Sequence, residues 1–400
     1  MASPDGGRDA RRILWATALR NFGYGLVSVE VALYWRGHGI PAIEIGLLFT
    51  VALLASGGMS ALAGRLGAAL GRRRSLLLLS LGISLGGVLL ATSSALPVLA
   101  LASLLATFSP TGKDVAAMLP LEQAALANLS AGDRRMTLYA RYNMTAALAG
   151  AFGALAVAAL PPGLSGAPAF WLYAAIGLGI ASLYSGLSPA VEEGGGEGKN
   201  RGSGRLVQSR GIVLRLTALF GVDALAGGLV AQGIAVLWLH ERFGIAAGAA
   251  GVLFFATNLA MALSQLAAPY LARRFGLLNT MVFTHLPSNI LLLLVAFAPN
   301  FPLAAALLVL RSLLSQLDVP TRQAYTMALV TPEEQGAAAG VTAAVRGTAS
   351  AVSPAITGLA LSLAAMGLPF ILAGAMKSLY DLALWAVFRG VPIQQGEGGM

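Results

Sequence analysis

Cysteine is absent from this chain. Disulfide staples, thiol nucleophiles and cysteine-held metals are excluded with it, while the redox compartment is left open. Charge is scarce: Asp, Glu, Lys and Arg make up 11% of the residues, against about 25% in a soluble domain. So few charges could not cover a water-facing surface. The three histidines, His38, His240 and His285, have no metal-ligand spacing and are assigned no chemistry. No His-Glu-x-x-His motif and no GxxxxGK[ST] loop occurs, so neither zinc hydrolysis nor ATP drive is encoded. The stretch SPTGK, ending at Lys113, lacks the upstream glycine of a phosphate loop and lies inside an apolar run. No catalytic residue, metal or cofactor is expected.

What remains is apolar. AVILMFWYC residues reach 57%, and mean hydropathy is +0.76. Runs such as Ser75 to Ser93, Ile212 to Leu239 and Thr280 to Ala298 approach or exceed the length of a hydrocarbon crossing, which takes about 20 residues. The chain reads as an all-α membrane protein with twelve transmembrane helices, at 13–35, 43–66, 75–93, 97–127, 136–160, 168–188, 211–239, 246–271, 279–298, 303–330, 337–364 and 368–388. MASPDGGRDARR has no small-residue cleavage site and is read as the mature start, in the cytoplasm. Loops on that side then hold Arg8, Arg11, Arg12, Arg72, Arg73, Arg74, Arg134, Arg135, Lys199, Arg201, Arg205, Arg210, Arg273, Arg274 and Arg389; the opposite loops hold Arg36 and Arg242. This bias places both termini in the cytoplasm of a multi-pass protein in the cell membrane. It also accounts for the net charge of +9 without a nucleic-acid partner. The polar stretch EEGGGEGKNRGSGR reads as a flexible linker, dividing the chain into 1–190, a linker at 191–210, and 211–400.

The two halves repeat. PLEQA begins at Pro120 and PTRQA at Pro320. Gly39-Ile40 matches Gly244-Ile245, Gly46-Leu47-Leu48-Phe49 matches Gly251-Val252-Leu253-Phe254, and Gly71 matches Gly276, all at an offset of 205. Arg141 and Arg346 keep that offset, which falls to 200 near Pro120. Ordered matches between six-span halves of equal orientation indicate a duplicated module with parallel repeats. Gly64-x-Leu66 followed by Gly71-Arg72-Arg73-Arg74, between the second and third spans, resembles the loop signature of the major facilitator superfamily. That resemblance implies two six-helix bundles rocking about a central cavity lined by spans 1, 4, 7 and 10. One departure is clear: Ala68 and, in the second copy, Arg273 stand where the family's loop carries an acidic residue. The inner-face latch built on that carboxylate is therefore not expected.

Ionisable residues inside spans include Arg20, Glu30, Lys113, Asp114, Glu122, Arg141, Asp223, Arg311, Asp318, Arg322, Arg346, Lys377 and Asp381. Each costs about 2.5–3.5 kcal/mol at the centre of a span, so such residues face a bundle interior or a wet cavity. Pro110 and Gly112 interrupt the fourth span just before Lys113 and Asp114; a broken span points to a substrate or coupling-ion site. Arg20, Asp223, Arg311 and Asp318 are further candidates. Asp318 and Arg322, four apart, can pair along one helix, and Arg311 or Arg322 can hold an anionic substrate group. Asp223 can carry a coupling proton. Glu122 and Arg322, at matching repeat positions, are expected either to meet as an inner gate or to pair within their own halves, Glu122 with Arg141 and Arg322 with Asp318. Arg346, the repeat mate of Arg141, belongs to the same gate group. Lys377 and Asp381 read as a packing pair. The expected function is alternating-access secondary transport by a monomer, coupled to protons and exporting small amphiphilic organics as an antiporter. The alternatives are a uniporter or importer of a small organic anion, or a non-transporting sensor or lipid-handling protein.

Overall fold

In hydrocarbon no water satisfies backbone N–H and C=O groups, so an open chain crosses only as helix. The computed structural model describes residues 4–105, 108–112, 118–130, 132–160, 166–192, 206–331 and 333–391. Among these there is no strand. The α-helices are α1 (Pro4–Gly37), α2 (Ala42–Leu70), α3 (Arg72–Thr92), α4 (Leu96–Leu105), α5 (Met118–Asn128), α6 (Gly132–Ala159), α7 (Ala167–Ser185), α8 (Arg210–Gly228), α9 (Gln232–Phe243), α10 (Ala247–Phe275), α11 (Leu277–Val295), α12 (Phe301–Ser315), α13 (Asp318–Ala328), α14 (Gln335–Ser362) and α15 (Leu368–Phe388). They account for twelve spans because three are broken: the fourth into α4 and α5, the seventh into α8 and α9, the tenth into α12 and α13.

Among the described residues, nine helical stretches are apolar and long enough to cross a membrane unaided. The first, fourth and eleventh spans are not among them. Charge explains α1, which carries Arg20 and Glu30; interruption explains the fourth; Arg346 and a small polar composition explain α14. The repeat persists in the backbone. Gly71 and Gly276, which join α2 to α3 and α10 to α11, both have φ of 83°, and Gly39 and Gly244 are also left-handed. Glycine adopts that region without a Cβ penalty.

Contacts divide the chain into two compact units. One comprises Met1–Gly196, Ala231–Ala256 and Leu361–Leu363; the other comprises Glu197–Val230, Thr257–Ala360 and Ala364–Met400. The division falls at the break between α8 and α9. In the first unit α1 lies backbone-to-backbone on α6: a Cβ on Gly25 would strike the Gly150 carbonyl, and one on Gly153 the Phe22 carbonyl. Helices α3 and α7 meet the same way, a Cβ on Gly177 falling 2.6 Å from the Ser84 nitrogen. Small residues at such crossings gain close van der Waals contact that lipid cannot supply. The break in the seventh span docks on the break in the fourth: Gly233 N–H donates to the Pro110 carbonyl at 2.7 Å, and Gln232 Nε2 donates to Ser28 Oγ at 2.8 Å.

In the second unit α8 lies equally close to α14. A Cβ on Gly228 would strike the Ser350 carbonyl, while Ser353 Oγ and Thr357 Oγ1 donate to the carbonyls of Leu225 and Leu229, each at 2.7 Å. These bonds satisfy backbone acceptors where α8 stops. Matching Gly25–Gly150 and Phe22–Gly153 to Gly228–Ser350 and Leu225–Ser353 gives an offset of 203 on the first helix of each half and 200 on the fifth. The sequence offset of 205 for Arg141 and Arg346 is thus corrected: the closest backbone approaches set the register, and the two arginines are about one turn out of equivalence.

Two carboxylates fix the loops on either side of the linker. Glu192 accepts the N–H groups of Arg72 at 2.7 Å and Arg73 at 2.9 Å, capping α3 directly after Gly71. A carboxylate at a helix N-terminus satisfies orphan donors and opposes the dipole. A Cβ at Gly71 would lie 2.9 Å from that carboxylate. Glu334 accepts from Val207 at 2.6 Å, Gln208 at 2.9 Å and Ser209 at 2.8 Å. Led by the Val207 and Ser209 N–H groups, these bonds hold its carboxyl down from the ordinary 4.5 to about 2. A carboxyl with a depressed folded-state pKa stabilises above its unfolded value and loses that contribution as pH falls. Glu334→Gln should therefore melt below wild type at neutral pH in detergent. The gap should narrow below about pH 4.5 and close near pH 2; a gap independent of pH would show that the charge is not what holds this loop.

Candidate functional site

Among the described residues, each unit buries an ion cluster. In the first unit Arg20 of α1 and Glu122 of α5 form a two-pronged pair, Nη1 to Oε1 at 2.8 Å and Nη2 to Oε2 at 2.5 Å, with both side chains fully buried. Two parallel N–H···O bonds are the strongest form of this contact. The remaining acceptor capacity of Glu122 is filled: Tyr142 hydroxyl donates to Oε2 at 2.6 Å, Tyr184 hydroxyl to Oε1, and Thr17 Oγ1 to Oε1 at 3.2 Å. Among the described residues the pair is charge-balanced, and both carboxylate oxygens of Glu122 accept more than one hydrogen bond.

The second unit inverts the signs. Asp223 of α8 receives Lys377 Nζ of α15 on Oδ1 at 2.5 Å, and on Oδ2 both Arg346 of α14 at 3.1 Å and Arg322 of α13 at 3.3 Å. Arg322 also binds Asp318 at 2.7 Å. The two guanidinium carbons stand 5.7 and 5.9 Å from the centroid of the Phe220 ring, a cation–π arrangement. Behind them, His285 Nδ1 of α11 lies 3.0 Å from Asp381 Oδ1, and Asn289 Nδ2 donates to Asp381 Oδ2 at 2.7 Å. Arg311 of α12 lies within electrostatic reach of Asp223. Its Nε is buried without a hydrogen-bond partner among the described residues. Three carboxylates (Asp223, Asp318 and Asp381) face four permanent cations (Arg311, Arg322, Arg346 and Lys377). Counted over the described residues, the second cluster is one positive charge over.

Several expectations change. Glu122 and Arg322 each have partners inside their own unit, and the partner of Glu122 is Arg20, not Arg141, which is exposed on α6 beside the buried Tyr142. Lys377 and Asp381 do not pair with each other, because Asp223 and His285 take them up. His285 thus acquires a role the sequence denied it. Gln316 and Leu317 interrupt the tenth span between Arg311 on α12 and Asp318 and Arg322 on α13. Lys113 and Asp114 lie outside the described residues. Tyr142, Tyr184 and Asn289 went unmarked in the sequence. One signal was present: Gly25-Leu26-Val27 and Gly228-Leu229-Val230 repeat at 203, as do Trp35 and Trp238, and that offset carries Arg20 onto Asp223. Ser182-Leu183-Tyr184 likewise recurs as Ser378-Leu379-Tyr380.

Twelve helical spans, a parallel repeat and charge clusters inside each half define a polytopic membrane transporter. The family model of the Major Facilitator Superfamily matches residues 13–239 and 216–398, and the chain belongs to that family. The uncharacterized membrane protein YJR124C of Saccharomyces cerevisiae is 24% identical over 421 residues, covering 95% of this chain and 94% of its own length. The crystal structure of the nucleoside transporter NupG shares the fold with a TM-score of 0.76 at 14% identity, covering 95% of this chain and 99% of that one. The human organic anion transporter MFSD10 does so with a TM-score of 0.64 at 18% identity, covering 96% of this chain and 100% of that one.

Removing one member of a buried pair strands the other and costs about 3–5 kcal/mol, whereas removing both costs far less. Glu122→Leu and Arg20→Met should each lower the melting temperature in detergent sharply. The double variant should lose much less than the two losses added. Simple additivity would mean that the pair is not the source of the cost.

Proposed function

We propose that this chain is a proton-coupled secondary transporter of a small organic anion, working by alternating access in the cell membrane with both termini in the cytoplasm. The observation that carries the anion is Arg311, whose buried Nε has no hydrogen-bond partner among the described residues. An unpaired cation in a transmembrane segment is costly, and ionisable groups at such positions mark substrate or ion paths. Arg322, Arg346 and Lys377 are engaged by Asp223; Arg311 has a buried donor to spare. An uncharged amphiphile would leave that charge unanswered, and an anion answers it. The organic anion transporter MFSD10, similar in fold, supports the same reading. Among the candidates, Arg311 is assigned the anionic group of the cargo. Asp223, with Arg322, Arg346 and Asp318, forms the fixed network beside it.

Benzenesulfonate is a suitable probe, since its small apolar body carries an anion that stays ionised across the working pH range. It should raise the melting temperature of the wild-type protein and show counterflow in proteoliposomes. Arg311→Gln should weaken binding by about tenfold or more, the worth of a charged hydrogen bond, while Arg311→Lys keeps part of the affinity. Wild-type affinity in a folded Arg311→Gln would overturn the assignment.

A further inference from the structure

Within the second unit, one imidazole can accept a proton without breaking the hydrogen bonds around it. His285 and Asn289 of α11 both bind Asp381 of α15. An ionised carboxylate only accepts hydrogen bonds, so His285 Nδ1 carries the hydrogen that Asp381 Oδ1 receives, and the Asn289 amide serves Oδ2. The approach of Asn289 Nδ2 to His285 Nδ1, at 3.3 Å, is then a contact between two donors. This leaves Nε2 as the position open to a proton. The groups facing the pair are Lys377 and Tyr380 of α15, Asn289 of α11 and Asp223 of α8; Tyr380 packs edge-on against the imidazole at 6.2 Å. Arg322 and Arg346 reach the same site through Asp223.

We infer that His285, held by Asp381 and Asn289, is the proton-binding site of this transporter, and that proton and anion bind together, making the protein a symporter. The step balances simply. Hydronium gives a proton to Nε2, an N–H bond forms, water is released, and the imidazolium remains hydrogen-bonded to Asp381 through Nδ1. The added charge lies on the helix that also touches the anion site: Ser288, three residues along α11, donates to the Arg311 backbone carbonyl at 3.2 Å. A cluster already one cation over becomes two over, and an anion binds it more tightly. By linkage the anion raises proton affinity by the same factor. Antiport would require the opposite sign. The inference rests on the organic-anion reading for its coupling partner, but the proton site can be tested without it.

The test uses the full-length protein in detergent. Between about pH 8 and 5, where a histidine changes charge, wild type should take up about one more proton per chain than His285→Gln, since His38 and His240 remain in both. Over the same range, benzenesulfonate affinity of wild type should rise as pH falls, by up to about tenfold per unit for one coupled proton. His285→Gln should flatten that slope, and Asp381→Asn should displace its midpoint. Arg311→Lys should bind more weakly with the slope kept, which separates the two sites. Equal proton uptake in wild type and a monodisperse His285→Gln, or an unchanged slope in that variant, overturns the inference. If benzenesulfonate fails to bind wild type at any pH while the uptake difference persists, the anion reading falls and the proton site stands.

Discussion

An ion held away from water must find its counter-charge inside the protein, and this constraint organises both halves of the chain. Each half answers it with a pair between its first and fourth spans: Arg20 with Glu122, and Asp223 with Arg322. The residues occupy corresponding repeat positions with every sign reversed. Duplication kept the geometry of the bridge and let its polarity invert. The desolvation cost of such a pair is recovered only when the remaining lone pairs and protons are satisfied. Tyr142, Tyr184 and Thr17 achieve this for Glu122. The second cluster satisfies Asp223 with further cations instead, and with Arg311 it ends with charge to spare.

Backbone contact fixes which side chains can reach these clusters. Gly25 on Gly150 and Gly228 on Ser350 bring helices together at a distance no Cβ allows. Once that crossing is set, the face of the fifth span turned towards the first span is set with it. In the first half this face carries Tyr142. In the second it carries Arg346, about one turn further along. A neutral hydroxyl and a guanidinium thus serve the carboxylates of the two halves; Arg346 and Lys377 are offset by Asp318 and Asp381 in the count, and the surplus charge of the second cluster is that of Arg311.

Spans and repeat were legible in the sequence because hydrocarbon length, charge-biased loops and positive-φ glycines act locally. Asp318 and Arg322 were legible for the same reason, four residues apart on one helix. Lys377 and Asp381 have the same spacing and behave differently, since Asp223 and His285 approach from other helices and win. Sequence distance hides such competitors: Arg20 and Glu122 are separated by 102 positions. Tyr142 and Tyr184 were invisible for another reason. A tyrosine in an apolar run looks like packing until a carboxylate is placed against its hydroxyl.

A carrier must release what it binds, and the second cluster contains a means of limiting its own grip. On the proposed reading, Arg311 attracts the anion of the cargo, yet Asp223 stands within reach of the same guanidinium. The carboxylate is already shared among Lys377, Arg346 and Arg322, so it cannot close on Arg311 and shut the site. It lowers the potential there without occupying it. Binding then depends on a surplus of one charge rather than four, an attraction modest enough to be tipped by a single proton on the neighbouring histidine. A fully cationic pocket would hold an anion through every conformation, and a neutral one would never select it.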